Sequence, residues 1–125
     1  MATLTETDII TPFIGKTIDA EKLTQCAQRN GPKPDGMEYI VYSCGFLYNK
    51  DLRETFGVTD QQKEMWERKG TEFNVHLHIL DEKITFCQIS KYHEGAGARP
   101  TYRSLKCTQQ DLRIARNILH YICQP

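Results

Sequence analysis

The sequence predicts an α+β domain in which a small antiparallel sheet of three or more strands is packed by helices. Three observations carry this reading. Residues 73–92 alternate apolar and polar side chains on both sides of Asp81-Glu82, the period of a β-hairpin. Residues 37–48, MEYIVYSCGFLY, are rich in β-branched and aromatic side chains and read as a strand. Ile114, Ala115, Ile118, Leu119 and Ile122 repeat at helical spacing near the end of the chain. At 125 residues the chain has the length of one ordinary domain. It is read as a single domain over 1–125, with 1–17 as an irregular arm because Pro12 and Gly15 interrupt any periodicity there.

The remaining elements follow from caps and turns. Asp19 is an N-cap ahead of Ala20-Glu21-Lys22, with Ile18 and Leu23 placed as a hydrophobic staple, so the spacing predicts a first helix closed by Asn30-Gly31. Gly31-Pro32-Lys33-Pro34-Asp35-Gly36 reads as a loop by composition. Asn49 caps a short helix over 50–56 that ends at Gly57. Thr59 with Gln62 predicts a second middle helix to Lys69, docked by Met65 and Trp66. The order is α-β-α-α-β-β-α, and a three-stranded sheet is thin, so 1–17 or 99–106 is expected to add an edge strand.

Composition excludes some functions. Sixteen Lys+Arg balance sixteen Asp+Glu, so net charge argues for no nucleic-acid or membrane partner. No apolar run approaches the roughly 18 residues of a membrane span. The first residues match neither a secretory signal nor a transit peptide, so a cytoplasmic location is expected. Five cysteines without a C-x-x-C read as free thiols rather than a disulfide framework.

Two constellations carry candidate chemistry. His76 and His78 lie two apart on the hairpin and share a face. A turn centred on Asp81-Glu82 pairs residues that sum to about 163, placing Cys87 opposite His76. Two imidazoles and a thiolate suit Zn²⁺, with His93, Glu94, His120 or water as the fourth ligand. The run Val75-His76-Leu77-His78-Ile79-Leu80 resembles the histidine strand of the histidine-triad nucleotide hydrolases. Asn74 stands where that strand carries its first histidine, so the activity is not transferred.

The second constellation is electrostatic. Residues 1–90 carry 10 basic and 14 acidic groups, whereas 91–125 carry Lys91, Arg99, Arg103, Lys106, Arg113 and Arg116 against Glu94 and Asp111. On the last helix Arg113, Arg116, Asn117 and His120 share the stripe opposite the core. Forked guanidinium donors suit carboxylate and phosphate, and interleaved tyrosines offer stacking planes. Residues 73–97, two strands and then Tyr92-His93-Glu94-Gly95 ahead of a terminal helix, resemble the end of profilin. Profilins bind actin and proline-rich peptides, so the resemblance implies a protein-binding module, with His120 and Tyr121 as peptide-site counterparts.

No nucleophile, acid/base or cofactor set is complete. The expected function is a small non-enzymatic binding or adaptor domain whose partner is a protein, or else a nucleic acid or phosphate ligand. The binding residues would be Arg99, Arg103, Arg113, Arg116 and His120. The enzymatic alternative is a zinc- or thiol-dependent hydrolase centred on His76, His78 and Cys87. An inhibitory or profilin-like module is the third reading.

Overall fold

A computed structural model describes residues 3–94 and 102–125. The fold is α+β, with helices α1 (Glu6–Ile10), α2 (Ala20–Cys26), α3 (Ser43–Phe46), α4 (Lys50–Thr55), α5 (Asp60–Lys69) and α6 (Gln109–Ile122). Strands β1 (Gln28–Lys33), β2 (Gly36–Tyr42), β3 (Thr71–Leu80), β4 (Lys83–Glu94) and β5 (Tyr102–Ser104) form an antiparallel meander, each hydrogen-bonded to the next. A 3-10 turn, Thr11–Phe13, follows α1.

Local signals account for most helix starts. Asp19, Asn49 and Thr59 each accept a hydrogen bond from the backbone N–H three residues on, which satisfies a donor the helix leaves orphaned. Thr108 and Asp111 form a reciprocal capping box on α6, and Thr5 and Asp8 do so on α1. α5 ends at Gly70, which takes a left-handed φ of 61° that glycine adopts without a Cβ clash.

Four expectations are corrected. The first helix stops at Cys26 instead of Asn30-Gly31, and the chain enters β1 directly, so only Pro34-Asp35 remains as a turn in the segment read as a loop. The strand read over 37–48 ends at Tyr42, where Ser43 starts α3 and its hydroxyl accepts from the Phe73 N–H at 2.9 Å. Residues 1–17 contain α1 and the 3-10 turn, and Ile9 and Phe13 are buried in the core. Met65 is 39% exposed and only Trp66, at 2%, docks α5, stacking on Phe73 at 5.3 Å. The extra strands are β1 and the short β5.

One core lies between the helices and one face of the sheet. Val41, Phe73, Val75, Leu77, Ile84, Cys87 and Ile89 supply the sheet side. The largest helical share comes from α6, through Leu112, Ile114, Ala115, Ile118, Leu119 and Ile122. Each such leucine or isoleucine contributes about 1.5–3 kcal/mol on full burial. The opposite sheet face carries Glu38, Ile40 and Tyr42 on β2, Asn74, His76 and His78 on β3, and Phe86, Gln88 and Ser90 on β4. None of these belongs to the core cluster.

Candidate functional site

The hairpin histidines are held apart from Cys87 by a bulge. Leu80 pairs with Lys83 and Ile79 with Ile84, as a turn at Asp81-Glu82 requires. The register then shifts between His78 and Ile79, so His78 pairs with Phe86, Leu77 with Cys87 and His76 with Gln88. A one-residue slip moves a side chain to the other face of a sheet. Cys87 therefore points into the core at 7% exposure, while His76 and His78 stay on the opposite face. The pairing of Cys87 with His76 is corrected, and the three residues do not converge on one point. No group of three or more His, Cys, Asp or Glu among the described residues is arranged to hold a metal ion. Burial pushes the free Cys87 thiol up to about 12, far from the thiolate that a nucleophile needs.

Each hairpin histidine has protein partners. His76 Nε2 lies 3.0 Å from Ser90 Oγ, and burial holds the imidazole below its ordinary range. His78 is bracketed by carboxylates, with Nδ1 2.6 Å from Asp35 Oδ1 and Nε2 3.1 Å from Glu38 Oε2. Glu38 also accepts from Asn30 Nδ2. That hydrogen bond is the main reason its carboxyl sits below the usual range, against burial that opposes it. The bulged Thr85 donates from Oγ1 to the Asp35 carbonyl at 2.6 Å and lies 3.1 Å from that of His78. These contacts tie the β1–β2 turn to the hairpin.

The basic stripe has the opposite character. On α6, Arg113 and His120 are exposed and Arg116 and Asn117 half-buried. The ion pairs among the described residues are Arg53–Asp60, Lys63–Glu67, Lys91–Asp111 and those of His78. Neither Arg113 nor Arg116 is in one. Asn117 Nδ2 donates to the Phe56 carbonyl at 3.1 Å and anchors α6 against the end of α4. His120 stands edge-on to Phe13, ring centroids 4.9 Å apart. Tyr121 turns inward, donating to Gln25 Oε1 at 2.8 Å and meeting Phe56 edge-on. Arg103 lies on β5, paired through its backbone with His93. Arg99 lies outside the described residues.

The structure adds two cations that the sequence pattern missed. A backbone strap joins residues 15–19 to the hairpin turn and to the end of α6. Ile84 N–H donates to Lys16 O, Ile18 N–H to Glu82 O, Asp19 N–H to Ile122 O and Gln124 N–H to Thr17 O, all at 2.7–3.0 Å. The strap brings Lys16 and Lys22 to a surface pocket of about 380 Å³ shared with Pro12, Phe13, His120 and Cys123. About a hundred positions separate these lysines from His120, so no spacing rule on one element could join them.

No protein-family model, curated protein or solved structure matches the chain. Two surfaces stand out: a sheet face whose histidines are held by protein partners, and a helical face whose Arg113 and Arg116 are in no ion pair among the described residues. Among the described residues no helix is long and apolar enough to cross a membrane.

Proposed function

We propose that the protein is a non-enzymatic, cytosolic binding domain that engages an acidic protein through the outward face of α6. Arg113 and Arg116 are the anchors and His120 extends the stripe. The supporting observation is that Arg113 and Arg116 share one helix face and neither has a carboxylate within ion-pair distance among the described residues. A guanidinium fork without an internal partner keeps its bidentate geometry for an incoming carboxylate. α6 is also the most deeply packed helix, so the stripe rests on a rigid support and little ordering is needed on binding.

Fluorescence anisotropy with a labelled glutamate-rich 20-residue peptide tests this, beside a 20-nucleotide single-stranded DNA. Saturable peptide binding that weakens with salt, and weakens about 100-fold in Arg113→Glu/Arg116→Glu, is the expected result. Equal affinity in wild type and variant would remove the assignment. Tighter binding of the DNA would replace the acidic protein with a nucleic acid.

A further inference from the structure

The pocket beside the end of α6 has a chemistry that the α6 stripe does not explain. Its rim carries Lys16 and Lys22, and its wall includes Pro12, Phe13 and Cys123. Neither lysine is in an ion pair among the described residues, although Lys22 Nζ lies 5.3 Å from the centre of the Tyr121 ring. Phe13 is 6% exposed and is held against His120 edge-on, so the apolar wall is fixed in place. Burial holds the Cys123 thiol above its ordinary range, which keeps it protonated and apolar at neutral pH. The backbone of Lys16 is clamped from both sides, its N–H donating to Phe13 O and its carbonyl accepting from Ile84 N–H.

We propose that this pocket binds a phosphate monoester carried on an aromatic body. A monoester carries about −1.5 to −2 charge near pH 7, matching two ammonium groups better than a single carboxylate does. Each ammonium offers three donors, and the phosphate offers three acceptor oxygens. Exposed Pro12 supplies the surface on which an aromatic ring lies, with the largely covered Phe13 ring behind it. The volume of about 380 Å³ falls in the range of small-ligand pockets, about 300–1,000 Å³. The ester could be a free metabolite or a phosphotyrosine side chain, which share this chemistry. The site does not use Arg113 or Arg116, which lie one to two helical turns away toward the start of α6.

Amide chemical-shift titration of the full chain with phenyl phosphate is the test. Saturable shifts at Phe13, Lys16, Lys22 and His120 are expected, with affinity about tenfold or more weaker in Lys16→Gln/Lys22→Gln. Both lysines are exposed, so this variant should keep the wild-type melting temperature, and Lys16→Glu/Lys22→Glu should abolish the shifts. Arg113→Glu/Arg116→Glu should leave phenyl phosphate binding in place, which separates this site from the α6 stripe. Tighter binding of a phosphotyrosine peptide than of phenyl phosphate would name a protein side chain as the source, and the reverse would name a free ester. Overturning results are absence of shifts, equal affinity in the lysine variants, sulfate binding as tightly as phenyl phosphate, or loss in the arginine variant alone.

Discussion

The two faces of this molecule treat their charges in opposite ways. On the sheet, His78 sits between Asp35 and Glu38, Glu38 accepts from Asn30, and His76 meets Ser90. The polar exception there is Asn74, whose buried Oδ1 has no partner among the described residues. On the helical side, Arg113 and Arg116 are in no ion pair among the described residues. The difference shows that a histidine cluster can be absorbed by the fold's own hydrogen bonds, whereas the two arginines of the helix stripe form no ion pair among the described residues. Groups that satisfy one another fix a turn or a register. Groups that do not are the ones a partner can use.

The contrast can be broken by substitution, beginning with the largest effect. Lys91 is a cation already spent inside the fold, its Nζ 2.7 Å from Asp111 Oδ2 and Asp111 only 1% exposed. Lys91→Met should cost about 3–5 kcal/mol in urea unfolding, because it strands a buried carboxylate. Arg113→Ala and Arg116→Ala should each stay within about 0.5 kcal/mol of wild type by the same measurement. Arg113→Glu/Arg116→Glu should instead weaken acidic-peptide binding about 100-fold, or roughly 3 kcal/mol. His78→Ala should destabilise the fold by about 1–2 kcal/mol and leave peptide affinity unchanged.

Acid should act on the sheet face in two windows. The folded His76 takes its proton at lower pH than an unfolded histidine does. Its contribution is therefore whole above about pH 6.5 and is lost as pH falls through its folded value. Glu38 is also depressed, so its contribution is whole above the ordinary carboxylate range and is lost at lower pH still. Chemical denaturation against pH should show both steps, with His76→Gln removing the first and Glu38→Gln the second. The smallest expected effect lies at the hairpin turn. Asp81 and Glu82 have φ of 52° and 64°, a left-handed pair that favours Asn-Gly. Glu82→Gly should stabilise by up to about 1 kcal/mol in a thermal melt.

Elements with local causes were legible in the sequence. Asp19, Asn49, Thr59 and Gly70 mark helix ends by side-chain or backbone chemistry that needs no tertiary context. The Asp81-Glu82 turn was legible too, but the bulge at Thr85 was not. Thr85 is anchored by the carbonyl of Asp35, fifty positions away, and the register shift at this bulge decides which face Cys87 takes. β1 was hidden because Gly31 and Pro32 have loop composition, and a Pro-bearing strand is tolerated at a sheet edge. The α6 stripe was visible as a helical period. Its lack of ion pairs among the described residues, and the arrival of Lys16 and Lys22 beside His120, depend on how the chain closes.

Mapping amide shifts in the full chain during titration with the glutamate-rich peptide compares the two faces in one experiment. Binding at α6 predicts movement at Arg113, Arg116, Asn117 and His120, with residues 74–90 still. Shifts centred on His76, His78 and Phe86, with α6 unmoved, would place the partner on the sheet and contradict the assignment.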